Sequence, residues 1–168
     1  VDDTPGGEIV LVSGDANSSS GSIAMSTSDA NASSGTVSVV TGAATGHSGD
    51  IALATSDGEN GSGGISIASG SGGGGSGGSI GINAGNSMIQ GGDVVISSGA
   101  GIDSADAGGV FLQGGDAAGY GVGGEVLLKG GVSAEGVGGS IYVISGESKT
   151  ATSGDLCLSS ANAGESGA

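Results

Sequence analysis

The amino-acid sequence predicts an all-β fold: a flattened parallel β-solenoid of about eleven coils, each of 14–16 residues with two strands per coil. Three observations favour this fold. The chain repeats every 14–16 residues throughout its length, each repeat carries two aliphatic residues spaced two apart, and most other positions are small. We expect one repeat domain over residues 1–168. Because residue 1 is Val rather than Met, we also expect a processed product or a piece of a longer array.

Each repeat begins at a glycine, which we call the anchor glycine, followed by any residue, an aliphatic residue, any residue and a second aliphatic residue. Successive anchors lie 14–16 residues apart, at Gly7, Gly21, Gly35, Gly49, Gly63, Gly78, Gly92, Gly108, Gly124, Gly139 and Gly154. A repeat this short has no room for a strand and a crossover helix. Successive repeats are therefore expected to stack as coils of one sheet.

The two aliphatic positions form unbroken columns. The first aliphatic column contains Ile9, Ile23, Val37, Ile51, Ile65, Ile80, Val94, Val110, Val126, Ile141 and Leu156. The second contains Leu11, Met25, Val39, Leu53, Ile67, Ile82, Ile96, Leu112, Leu128, Val143 and Leu158. A spacing of two places both side chains on one face of a strand, so each strand is predicted to face a thin core.

Small residues are expected to form the opposite wall of that core. The floor column, seven residues after each anchor, consists of Gly14, Ser28, Gly42, Ser56, Gly70, Gly85, Gly99, Gly115, Gly131, Gly146 and Ala161. Glycines before each aliphatic pair would supply the corners, where a positive φ costs Gly least.

Composition excludes several classes of function. The chain has 42 Gly, 30 Ser, three aromatic residues and a net charge of −15, with Lys129 and Lys149 its only basic residues. Nucleic acids and anionic membranes are therefore not expected partners, because phosphate contacts need Lys and Arg. No apolar run approaches the roughly 18 residues of a membrane span. Cys157 is alone and predicts no disulfide within the chain.

With these repeats in place, the chain resembles the Gly/Ser-rich β-solenoid repeats of large secreted or surface proteins of microalgae and of some phage fibres. The segments SGDIALATSDGENGSGGISIASG and GGEVLLKGGVSAEGVGGSIYVISG carry the likeness. The resemblance implies an extracellular filament, fibre or surface coat, and it brings no catalytic residues. We expect no enzymatic activity, because His47, the single histidine, has no identifiable acidic partner.

A weaker resemblance, in size, is to small β-solenoid ice-binding proteins, which present flat rows of threonine. Thr27, Thr41 and Thr55 form such a row across three repeats. Carboxylates at Asp15, Asp29 and Asp57 lie beside it and interrupt a weakly hydrated face. Ice binding is therefore the alternative function.

The same carboxylates suggest a second, weaker site. In stacked coils Asp15, Asp29, Asp57 and Glu59 would approach one another, and Ca²⁺ could bridge their oxygens. The calcium nonapeptide GGxGxDxUx of β-rolls is absent, so solvated charges are the favoured interpretation. We expect no cofactor, with calcium as the weak alternative.

Three glycosylation sequons begin at Asn17, Asn31 and Asn60, at nearly the same position of their repeats. They fit a secreted protein.

A stripe of large apolar residues distinguishes the later repeats. In the later repeats the residue between the two aliphatic columns is large and apolar. With Ile144, two residues after Tyr142, these residues form a stripe: Val95, Phe111, Leu127, Tyr142 and Ile144. An exposed stripe predicts a partner interface. The alternative, equally weighted, is that loops 103–108, 117–123 and 133–138 cover it with Tyr120, Val122 and Val137 as a second local core.

Both ends lack a recognisable cap, which favours assembly with further coils. The sequence therefore predicts a structural extracellular protein that joins itself or other coat and fibre proteins by coil stacking and lateral apolar contacts.

Overall fold

The computed structural model describes residues 6–161. Within this range the chain forms no α-helix and no β-strand, and its regular features are bends and turns. Contacts divide the chain into two units, with the boundary between Ile80 and Gly81. Each unit is built from the same kind of local loop, repeated along the sequence.

The predicted β-solenoid is therefore wrong. Stacked coils need N–H···O=C bonds between equivalent positions of successive repeats, 14–16 residues apart. In residues 6–161 every backbone hydrogen bond joins groups at most nine residues apart. The described bonds close short loops between nearby positions of the chain, and no ladder joins equivalent positions of successive repeats.

The composition explains why local closure prevails over stacking. Each repeat offers only two column aliphatics against many glycines, which lose more backbone entropy on ordering than any other residue. Stacking would also bring equivalent carboxylates to about 4.8 Å, the spacing of neighbouring strands. With a net charge of −15 the chain has few cations to offset that repulsion.

The repeat nevertheless appears in the structure as one change of direction per interval. A bend or turn lies ten to twelve residues after each of the first ten anchors, at 17–18, 31–32, 45–46, 59–60, 73–75, 88–89, 103–104, 119–120, 134–136 and 149–151. The segment before each bend runs from the anchor glycine through both aliphatic positions. The period read from the sequence is thus the period of the bends.

A backbone hydrogen bond closes most of these loops. In seven of the ten intervals the anchor N–H donates to the carbonyl oxygen of the preceding floor residue, at 2.8–3.0 Å. The pairs are Gly21 to Gly14, Gly78 to Gly70, Gly92 to Gly85, Gly108 to Gly99, Gly124 to Gly115, Gly139 to Gly131 and Gly154 to Gly146. We call this contact the loop closure.

The two longest intervals contain a left-handed residue at the same place. Asp103 has φ 57° and Gly119 has φ 68°, and each begins the turn of a 16-residue interval. Gly adopts this conformation freely, and Asp tolerates it better than most side chains. The extra residues are accommodated in the turn, so the loop closure is kept in both intervals.

No residue of the described range is buried, and the expected thin core is absent. The accessible surface is 16633 Å², whereas a compact chain of 15.1 kDa would expose about 7,100 Å². Exposure still follows the repeat. From Ile23 onward the first aliphatic column is 49–56% exposed, and the second column is 57–85% exposed.

Two adjacent glycines test the loop closure. A Cβ on Gly114 would collide with the carbonyl group of Gly124, whereas a Cβ on Gly115 meets nothing within 4 Å. We expect Gly114→Ala to break the bond from Gly124 N–H to Gly115 O. Amide hydrogen exchange at Gly124 should then accelerate by up to about tenfold, since one backbone hydrogen bond contributes about 0.5–1.5 kcal/mol. Gly115→Ala is the matched control. Equal exchange in both variants would contradict the assignment.

Candidate functional site

The described part of the chain contains no pocket, so any site must lie on its surface. Its His, Cys, Asp and Glu side chains nowhere gather in threes around a possible metal position. No helix capable of crossing a membrane was found among the residues searched. The candidates are therefore rows of side chains repeated from loop to loop.

The residue just before the floor column is the least exposed position in several loops. We call this position the pinch column; it contains Ser13, Thr27, Thr41, Thr55, Ser69, Ala84, Ser98, Gly114, Gly130, Ser145 and Ser160. Five residues between 6 and 161 are half-buried, and all five belong to this column: Ser13, Ala84, Gly114, Gly130 and Ser145.

The pinch column packs against the next anchor glycine. A Cβ built on Gly92 would stand 3.4 Å from the Cβ of Ala84, and one built on Gly21 would stand 3.5 Å from the Cβ of Ser13. At Gly78, Gly124 and Gly139 a Cβ would stand 2.7–3.0 Å from a neighbouring atom, so the close return of the chain favours glycine there. Our sequence interpretation missed the column, although a signal was present, since only Ser, Thr, Ala and Gly occupy it.

The predicted threonine row lies in the pinch column. The Cγ2 atoms of Thr27, Thr41 and Thr55 lie 3.3, 3.7 and 3.5 Å from a Cβ built on the anchor glycine that follows each of them. In addition, Thr55 Oγ1 donates to Gly63 O at 3.0 Å. These side chains contact their own loops.

Threonine also changes how a loop closes. The three intervals without the backbone loop closure are the three that have threonine in the pinch column. A β-branched side chain places a methyl group against the anchor glycine, which holds the anchor N–H away from the floor carbonyl. Serine at the same place is compatible with closure: Ser69 Oγ donates to Gly78 O at 2.9 Å while Gly78 N–H reaches Gly70 O.

The four acidic residues considered as calcium ligands form no metal site within the described residues. Asp15, Asp29, Asp57 and Glu59 are all exposed. None belongs to a group of three possible ligands within the described residues. Calcium binding stays a prediction without a defined ligand set.

The sequon asparagines lie at the bends. Asn17 and Asn31 begin the bends at 17–18 and 31–32, and Asn60 is the second residue of the turn at 59–60. That turn is closed by Gly61 N–H, which donates to Gly58 O at 3.2 Å. All three asparagines are exposed, at the tips of their loops.

The apolar stripe is open to solvent. Val95, Phe111, Leu127, Tyr142 and Ile144 are 72–93% exposed. The structure does not show the second local core, because the loop residues expected to cover the stripe, Tyr120, Val122 and Val137, are themselves exposed. The Phe111 ring instead lies over backbone, with its Cε2 and Cζ 3.1 Å from a Cβ built on Gly109.

No family model, no curated protein and no solved structure matches this chain. The function proposed below is therefore inferred from the residues of this chain alone.

A reciprocal exchange in the pinch column tests its control of closure. Thr55→Ser removes the methyl group beside Gly63, and we expect the Gly63 amide to gain protection from hydrogen exchange. Ser98→Thr adds that methyl group, and the Gly108 amide, which donates to Gly99 O at 3.0 Å, should lose protection. Each change should be severalfold, as expected for one backbone hydrogen bond of about 1 kcal/mol.

The control is Ser97→Thr, which makes the same chemical change one residue earlier. Protection at Gly108 should be unchanged in this variant. Loss of protection there, or no response to Ser98→Thr, would show that the pinch column does not govern closure.

Proposed function

We propose that the chain is a structural repeat protein of an extracellular filament, fibre or coat, and that it associates with further copies of itself through its aliphatic columns. The observation that carries the proposal is the regular exposure of the first aliphatic column, 49–56% in ten successive repeats. Such a row is half covered by its own loop, and its other half is free for a partner.

The physical reason is the burial of apolar surface. Complete burial of one aliphatic side chain contributes about 1.5–3 kcal/mol, so covering the free half of one column residue contributes roughly 1 kcal/mol. One such contact is too weak to hold two chains. Ten contacts on one chain act together, because the first raises the effective concentration of the others.

The partner that fits best is a second copy. Its surface must present apolar groups at intervals of 14–16 residues, and this chain carries two columns with that spacing. An unrelated protein would match one or two repeats and then lose register. The stripe from Val95 to Tyr142 adds exposed apolar area in the later repeats.

Charge limits the association. The net charge of −15 repels like copies, and Lys129 and Lys149 alone offer opposite charge. This repulsion between exposed groups is screened by salt, with a Debye length of about 8 Å at physiological ionic strength. The chain thus stays dispersed in dilute low-salt solution and assembles where salt is high or copies are concentrated.

The extracellular location is part of the proposal and is supported by the three sequons. Neither a cofactor nor a catalytic role belongs to it. The second candidate, ice binding, is not favoured by a specific observation: Thr27, Thr41 and Thr55 are exposed, but each places its methyl group against its own loop.

Two triple variants test the proposal. Val94→Thr, Val110→Thr and Val126→Thr together replace three valines of the first column at nearly constant side-chain size. We expect this variant to stay monomeric at protein concentrations where the unaltered chain assembles, as measured by sedimentation velocity and electron microscopy.

The matched control changes three exposed valines of the loops in the same unit, Val122→Thr, Val132→Thr and Val137→Thr. It should assemble like the unaltered chain, because these residues lie outside the columns. Equal loss of assembly in both variants, or an unaltered chain that is monomeric under all conditions, would refute the proposal.

Ionic strength gives an independent check. Raising the salt concentration from about 0.01 to 1 M shortens the Debye length from about 30 to 3 Å. The concentration needed for assembly should fall in the same series. Assembly that weakens with salt would indicate contacts between opposite charges and contradict association through the columns.

A further inference from the structure

The three sequon asparagines share a structural setting that goes beyond their sequence motif. Each lies at a bend or turn, ten or eleven residues after its anchor glycine, and each is exposed. In Asn17-Ser-Ser and Asn31-Ala-Ser the asparagine begins the bend, and in Asn60-Gly-Ser it completes the turn.

We propose that Asn17, Asn31 and Asn60 are sites of N-linked glycosylation, one per loop tip. A glycan needs an acceptor that projects from the chain and tolerates a bulky polar addition. The three asparagines meet this need, because they are exposed, lie at bends or turns and stand outside both aliphatic columns.

The chemistry is a transfer from a lipid-pyrophosphate-linked oligosaccharide. The Asn Nδ2 atom forms a bond to the anomeric carbon of the first sugar, and the bond from that carbon to the pyrophosphate oxygen breaks. The lipid pyrophosphate leaves, and a base of the transferase takes the Nδ2 proton. The serine two residues on, Ser19, Ser33 or Ser62, completes the recognised motif.

The sites are confined to one part of the chain. All three lie before Ile80, where the first unit ends. The other asparagines, Asn83, Asn86 and Asn162, lack Ser or Thr two residues on. The second unit, which carries the apolar stripe, would therefore remain free of N-linked glycan.

The chain supplies its own control at Asn86-Ser-Met. This segment is exposed and runs into the bend at 88–89, where Ile89 N–H donates to Ser87 Oγ at 3.1 Å. It lacks only the third residue of a sequon. Met88→Thr completes the motif at an exposed asparagine that lies two residues before a bend.

The test is secretion of the full chain from a eukaryotic cell behind a cleavable signal, followed by mass spectrometry before and after peptide N-glycosidase treatment. We expect three glycans on the unaltered chain. Asn17→Gln, Asn31→Gln and Asn60→Gln should each remove one, and Met88→Thr should add one.

An unaltered chain without glycan would overturn the proposal, whether or not Met88→Thr gains one. A gain at Asn86 alone would show that the loop tips are accessible and that the three natural sites are not used. Occupancy at one or two sites would support the proposal there and overturn it at the bare asparagines.

Discussion

The hydrogen bond from the anchor N–H to the floor carbonyl is the contact on which the other features depend. It brings two stretches of backbone together seven to nine residues apart, and a side chain would collide at the closest of these approaches, between Gly114 and Gly124. It also places the bend between them and the aliphatic pair on the outside of the closure. Where threonine occupies the pinch column, a methyl contact and, at Thr55, a hydroxyl bond stand in place of the backbone bond.

The loop closure gives the hydrophobic residues no core to pack into, and their exposure is the basis of the proposed association. A closed loop is too short to surround two aliphatic side chains, so the first column stays about half exposed and the second column is more exposed. In the association we propose, the same residues hold copies together, and the charge of −15 opposes that contact in a salt-dependent way.

The period of the structure could be predicted from the sequence, but the pairing of its backbone could not. Anchors such as Gly108 and Gly124 mark real repeats, and a bend follows each. Glycine, however, serves equally well in a corner between stacked coils and in a loop that closes on itself. Nothing in its pattern tells whether Gly124 N–H bonds nine residues back or a full period away. The direction of the Thr41 side chain could not be predicted either, because its small neighbours permit it to point outward or inward.

Local closure also has a mechanical consequence. Each loop closure joins the floor residue of one repeat to the anchor of the next and shares no group with another closure, so tension on the chain would open the closed loops one at a time. An opened loop of seven to nine residues gains up to about 3.3–3.6 Å of length per residue. A fibre made of such chains would therefore lengthen gradually under load and shorten again as the loops re-form.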